Sequence, residues 1–187
     1  TGGMPEIQGA FAAFVNKGPF YGAASLCLDD PAVQEILPRV KKRASTYGFS
    51  GQADVRGRDV ELAGAGSSFG VEAWGADIGT FRLSLPGRHN VLNALAAVAV
   101  GLELEIPVSD VREGLDRFAG VARRFQVKGS RAGVTGVDDY GHHPTEIRAT
   151  LAAGRGVVGG GGPSKGSGRT GTRRRRTCRI VKRSWRR

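Results

Sequence analysis

The 187 residues are 40% hydrophobic, which is enough for one or two small domains with a buried core, and they carry a formal net charge of +11. That charge is lopsided, because residues 154–187 hold 12 of the 28 Lys and Arg and none of the 17 acids, leaving the first 153 residues with 16 basic side chains against 17 acidic ones. The pattern excludes a chain that is basic throughout; two cysteines, Cys27 and Cys178, exclude a disulfide scaffold, and no apolar run is long enough to span a bilayer as a helix.

Residues 6–16 set Ile7, Ala10, Phe11, Phe14 and Val15 at helical spacing, which predicts a surface helix with one apolar face. The apolar run 23–28 ends at Asp29-Asp30-Pro31. It predicts a strand buried on both faces, then a helix with Pro31 in its first turn and Asp30 as N-cap. Carboxylates at the end of a buried strand can also serve a site, so the two aspartates carry either reading. Four alternating runs, 45–49, 55–62, 68–74 and 79–85, predict a strand meander. Gly64-Ala65-Gly66-Ser67-Ser68 lacks a following Gly-Lys-Ser/Thr, and nothing in the chain is a phosphate loop of that type.

Pro86-Gly87-Arg88 opens the strongest helix, over 90–104, with a wide apolar stripe that includes Val91, Leu95, Val98 and Leu102. Asn90 and Asn93 lie three apart on one face of its first turn, where amide groups can bond the edge of a planar heterocycle. Alternatively, Asn90 caps the helix and Asn93 satisfies a nearby loop. A second helix is expected over 109–118, closed by Gly120, with Val111, Leu115 and Phe118 on its apolar side. Arg123-Arg124-Phe125 follows at the start of a strand, where two guanidiniums can bind phosphate or ribose oxygens or stand as solvated charges.

The densest chemistry lies in 137–146, where Asp138, Asp139 and Glu146 accompany Tyr140, His142 and His143. Residues 133–137 read as a short strand and 144–147 as a helix start, so the cluster occupies a strand-to-helix turn, a position that carries α/β active sites. Adjacent histidines point in different directions on any regular element, and no further His or Cys lies at ligand spacing, which argues against structural zinc. A solvated loop or a capped helix terminus remain the alternatives.

Four segments in this order resemble the Mur ligases: Pro19-Phe20-Tyr21-Gly22 with Asp29-Asp30-Pro31; Pro86-Gly87-Arg88-His89-Asn90-Val91-Leu92-Asn93-Ala94; Gly120-Val121-Ala122-Arg123-Arg124-Phe125; and Asp138-Asp139-Tyr140-Gly141-His142-His143-Pro144-Thr145-Glu146. Tyr140 and Thr145-Glu146 favour the branch that adds L-alanine to UDP-N-acetylmuramate over the one that re-attaches a recycled tripeptide. The resemblance implies an α/β chain. Residues 1–120 would be the C-terminal half of a central ATP-binding domain, and 121–153 the start of a Rossmann-like C-terminal domain. It implies ATP and Mg²⁺, with Asn90 and Asn93 on adenine and Arg124 and Asp139 on ribose and phosphates. Tyr140, His142 and His143 would face the amino-acid side, with His142 as the candidate catalytic base. In the family the UDP-substrate domain, the phosphate loop and the Mg²⁺-binding residues precede the point that matches Thr1. The resemblance therefore implies a ligase fragment without activity of its own, cut at its front end.

The resemblance stops at Ala153. Residues 154–187 turn to Gly, Arg, Ser and Thr without periodicity, which predicts a disordered basic tail. Two readings stand for it. One is an arm that holds nucleic acid non-specifically, the different-class alternative for the whole chain. In the other, residues 169–173 can be encoded so that a shifted frame reads histidine, arginine, tyrosine and threonine, an element expected downstream in the family. The tail would then be out of frame. The cysteine usage and the lack of a signal-peptide pattern fit a cytoplasmic protein.

Overall fold

The computed structural model describes residues 3–64, 66–131, 134–159 and 177–181. Helix α1 (Met4–Asn16) has Pro5 in its first turn, where the missing N–H has no helical partner to lose. Asn16 ties its far end down by donating to Arg39 O (2.8 Å) and accepting from Lys41 N (2.7 Å). Strand β1 (Ala24–Cys27) leads into α2 (Pro31–Ile36), and Asp30 caps that helix, accepting from Ala32 N at 2.8 Å and Val33 N at 3.3 Å. Asp29 accepts from Phe49 N (2.8 Å) and Ser50 N (3.0 Å), so both aspartates hold turns of the chain.

A 3₁₀ turn (Leu37–Arg39) precedes β2 (Ala44–Gly48), β3 (Val55–Ala63), β4 (Gly66–Ala73) and β5 (Ala76–Leu83). The sheet order is β1-β2-β3-β4-β5. The expected meander is present from β3 to β5, which pair antiparallel, but β1, β2 and β3 run parallel. A parallel return normally needs a long crossover. Here β3 overlaps β2 only at Tyr47 opposite Val55 and Gly48 opposite Arg56, so the short link 49–54 has one strand spacing to cover. The expectation that β1 is buried on both faces fails: all four of its residues are half-buried, because β1 lies at the edge of the sheet and pairs only with β2 among the described residues.

The core forms where strand alternation meets a helical stripe. Ser67, Phe69, Val71 and Ala73 of β4 point inward. Helix α3 (Arg88–Glu103) lays Val91, Ala94, Leu95, Val98 and Ala99 over them, with Phe69 and Phe81 stacked at 6.0 Å beneath. Close approach depends on Gly57: a Cβ there would lie 2.8 Å from Leu95 Cδ1. Helix α3 is capped by Gly87, at φ 99°, rather than by Asn90, which sits inside the first turn. Helix α4 (Val108–Arg117) ends at Phe118, so Gly120 (φ 91°) does not close it but turns the chain away against Leu85.

A second sheet follows, with β6 (Gln126–Arg131) antiparallel to β7 (Val134–Asp138), and α5 (Pro144–Gly159) lies beyond it. Phe125, Val137 and Ala153 form its small core, with Val157 packed on them. Two described pieces lie within the stretch expected to be disordered from residue 154 onward. Val157 extends the apolar face of α5 past Ala153, and the helix continues to Gly159. Strand β8 (Thr177–Val181) pairs parallel with the open side of β7, where a run containing three β-branched residues suits a ladder edge. The rest of the tail, 160–176 and 182–187, with its expected disorder and its out-of-frame reading, lies outside the described residues. Among the described residues no helix is long and apolar enough to cross a membrane.

Candidate nucleotide cleft

Between α3 and the second sheet lies a cleft of about 750 Å³. Leu83, Leu85, Leu115, Phe118 and Phe125 make its apolar lining, His89, Asn90 and Asn93 edge it from α3, and Arg124, Asp139 and Glu146 edge it from the other side. A concave apolar slot of this size with a few convergent polar groups suits a small planar ligand.

All four residues expected at a nucleotide, Asn90, Asn93, Arg124 and Asp139, line this one cleft. Asn90 donates from Nδ2 to Pro86 O at 2.8 Å, and its Oδ1 bonds none of the described residues. Asn93 is exposed, and its amide bonds none of the described residues. Gly87, not Asn90, is the cap, and Asn93 satisfies no loop among the described residues. Asp139 accepts from Phe125 N (2.9 Å) with Oδ2 and from Gly141 N (2.7 Å) with Oδ1. It holds a turn in which Arg123 (φ 64°) and Phe125 (φ 46°) adopt the left-handed region that bulky side chains avoid. That turn separates the two arginines. Arg124 lines the cleft, while the Arg123 guanidinium lies 4.6 Å from the centre of the Tyr140 ring and its carbonyl accepts from Tyr140 N at 2.7 Å.

Tyr140, His142 and His143 form an exposed patch on the loop from β7 to α5, beside the cleft and not within its lining. Tyr140 and His142 meet edge to face at 5.7 Å. His142 Nδ1 lies 3.4 Å from Tyr140 O and 4.0 Å from Glu146 Oε2. His143 has a structural duty, since its Nδ1 accepts from Thr145 N at 3.3 Å as the N-cap of α5, which requires that nitrogen unprotonated.

Two residues that sequence reasoning left without a role help to build the cleft. His89 is half-buried, and that burial pushes its imidazole below the usual histidine value, with the nearby Asp139 charge opposing the shift; a neutral ring therefore faces the cleft. Nothing in the period of α3 marked it. Glu146 is held below the ordinary glutamate range by the backbone N–H groups of His143 and His142, with Arg124 adding to the shift. Its place three residues after the N-cap is capping-box spacing, a signal that could have found it.

The carboxylates at the cleft, Asp139 and Glu146, are thus engaged by backbone donors. Among the described residues no group of three or more His, Cys, Asp or Glu could hold a metal ion. Among the described residues no protein ligand set for Mg²⁺ is therefore assembled at the cleft.

Residues 1–101 match the Mur ligase middle domain and residues 123–164 match the Mur ligase, glutamate ligase domain. The second match runs past Ala153, where the resemblance read from sequence ended. The UDP-N-acetylmuramate--L-alanine ligase of Geobacter sulfurreducens is 57% identical over 155 residues, which are 83% of this chain and 34% of that protein. Among solved structures, MurF from Acinetobacter baumannii is similar with TM-score 0.72 and 26% identity, over 86% of this chain and 34% of that one. The UDP-N-acetylmuramate-alanine ligase from Thermotoga maritima is similar with TM-score 0.58 and 30% identity, over 67% and 29%. The chain spans about a third of the length of the curated relatives it matches.

Proposed function

The chain belongs to the Mur ligase family, and on that premise we propose that its cleft receives the adenosine half of ATP in a ligase that joins L-alanine to UDP-N-acetylmuramate. The observation that carries this reading is the convergence of Asn90, Asn93, Arg124 and Asp139 on one apolar slot. Leu83, Leu115 and Phe118 would cover the faces of adenine, and the unengaged amide of Asn93 and the Oδ1 of Asn90 would meet its edge. Arg124 would sit toward the ribose and phosphates, and Asp139 would hold the turn that presents it.

In this reaction the γ-phosphoryl of ATP passes to the lactyl carboxylate of UDP-N-acetylmuramate, giving an acyl phosphate and ADP. The amine of L-alanine, having lost a proton, then attacks the acyl carbon, and phosphate leaves as the amide forms. Mg²⁺, when bound with the nucleotide, would supply positive charge against the transferring phosphoryl; among the described residues no group of three or more His, Cys, Asp or Glu would hold it. Tyr140, His142 and His143 would face the amino acid. Of the three, His142 is the one free to take the ammonium proton, since His143 caps α5. The protein would work in the cytoplasm, and we place the boundary between its two segments at Gly120, leaving 1–120 on the ATP-binding side and the residues from 121 to the end of α5 in the second domain.

Two results are expected. Asn93→Ala should weaken ATP binding to the chain, measured by calorimetry, by about 1–3 kcal/mol, or roughly 5- to 150-fold, with the melting temperature nearly unchanged because the exposed amide supports nothing else. Unchanged affinity with a lower melting temperature would mean that Asn93 serves the fold. Secondly, the 187-residue chain alone should release no phosphate on mixing with ATP, UDP-N-acetylmuramate and L-alanine. Mutual positioning of these substrates supplies much of such a rate, and no phosphate loop stands in these residues to provide it. Phosphate release that requires both acceptor substrates would contradict this.

A further inference from the structure

The N-terminus of α5 leaves backbone N–H groups without helical partners. Glu146 Oε2 accepts from His142 N (3.1 Å) and His143 N (3.2 Å), while His143 Nδ1 accepts from Thr145 N, so each of the two side chains satisfies donors of the other's segment. If that were its whole role, Glu146 would be one more helix-end device. Its second oxygen argues otherwise. Oε1 faces across the cleft wall and lies 3.7 Å from Arg124 NH1, with both side chains partly exposed at 39% and 54%. Arg124 stands on the turn that Asp139 pins through Phe125 N. One carboxylate therefore touches the guanidinium of the nucleotide wall with one oxygen and the backbone of the two-histidine loop with the other.

We propose that Glu146 is a positioning residue that couples the two sides of the site, setting the Arg124 guanidinium in the cleft and the His142-His143 loop beside it with the same side chain. It rests on the nucleotide reading above as far as the ligand is concerned. A carboxylate 3.7 Å from Arg124 NH1 orients the guanidinium by its charge. Substitution by Gln separates the two contacts. Its carbonyl oxygen can still accept from the loop backbone, but its amide turns a donor toward the donors of Arg124, so the link to the cleft is lost while the helix cap stays.

The test has a ligand-free arm and a nucleotide arm, both on the full 187-residue chain. In the first, the backbone amides of His142 and His143 and the side-chain Nε of Arg124 are followed by ¹⁵N NMR through an acid titration. Glu146 is depressed in the folded chain, so its contribution is complete above the ordinary glutamate value and disappears as pH falls through the lower folded value. The groups facing it are Arg124 on the turn and His142 and His143 on the loop. The expected result is one shared transition for all three signals, absent from Arg124 in Glu146→Gln. An Arg124 signal that ignores this transition, or titrates equally in Glu146→Gln, overturns the proposal.

In the nucleotide arm, ATP affinity is measured for Glu146→Gln, Arg124→Ala and the double variant. Glu146→Gln should weaken binding about three- to tenfold alone and by less than twofold once Arg124 is already Ala. Equal weakening in both backgrounds, as a merely structural role would give, overturns it. Failure of the unaltered chain to bind ATP would sink the nucleotide reading alone, since the ligand-free titration still decides whether Glu146 couples the loop to Arg124.

Discussion

Replacing Asp139 with Ala should destabilise the second sheet by about 2–4 kcal/mol and weaken ATP binding with it. The side chain is one carboxylate with two backbone donors, Phe125 N of the 123–125 turn and Gly141 N of the loop between β7 and α5. Hydrogen bonds to a charged acceptor are the stronger kind, and Ala leaves both donors without it. Arg123 and Phe125 would then relax from left-handed backbone angles that they adopt only under constraint, carrying Arg124 out of the cleft and Phe125 out of its core with Val137 and Ala153. Hydrogen exchange locates the effect: protection should fall across β6 and β7 and persist across β3 to β5. Asp139→Asn keeps one acceptor and loses the second, so its loss should fall between. An even loss over both sheets, or none, would contradict the role assigned to this side chain.

Leu95→Ala should cost about 2–5 kcal/mol, lost from the first sheet and α3 together. Leu95 is completely buried and packs among Phe69, Phe81, Val55 and Val98, with its Cδ1 filling the space that Gly57 leaves open. Removing its branched end opens a cavity that the sheet below cannot close without shifting β3. Denaturant titration should show a lower midpoint with an unchanged slope. Asn93, two positions earlier, is on the exposed side, so ATP affinity in the folded fraction should stay the same. This variant separates loss of fold from loss of site, as Asn93→Ala does in the other direction.

Much of the fold was legible because it depends on local patterns. The stripe through Val91, Leu95 and Val98 announced α3, and Asp30-Pro31 announced the start of α2. Strand direction was not legible. A period of two is the same for parallel and antiparallel neighbours, and the two-residue overlap of β2 with β3 leaves no mark on composition. Nor could periodicity tell that β1 lies at an edge, or that Asn90 is inside its helix, since the start of α3 depends on the positive φ of Gly87. In the cleft, spacing brought Asn90 and Asn93 to one face. Residue chemistry marked the Arg123-Arg124 pair and the 137–146 cluster, but that Arg124 and Asp139 share a site with those asparagines came only from resemblance, because they meet through tertiary folding. Glu146 reaches Arg124 across two elements, and no window of sequence contains that contact. In the tail, Val157 and the run at 177–181 have apolar or ladder partners far away in the chain, which no local pattern marks.

The chain has three asparagines, Asn16, Asn90 and Asn93, so labelling asparagine alone yields three side-chain amide pairs. Asn16 bonds Arg39 O and Lys41 N at the far end of α1 and serves as an internal reference. Titrating the labelled chain with ATP measures the central claim directly. The account predicts that the Asn90 and Asn93 amide signals shift together along one saturating curve while Asn16 stays in place, and that adenosine alone moves the same two signals. Signals from Asn90 and Asn93 that stay fixed while ATP is bound, or that move no more than Asn16, would contradict it.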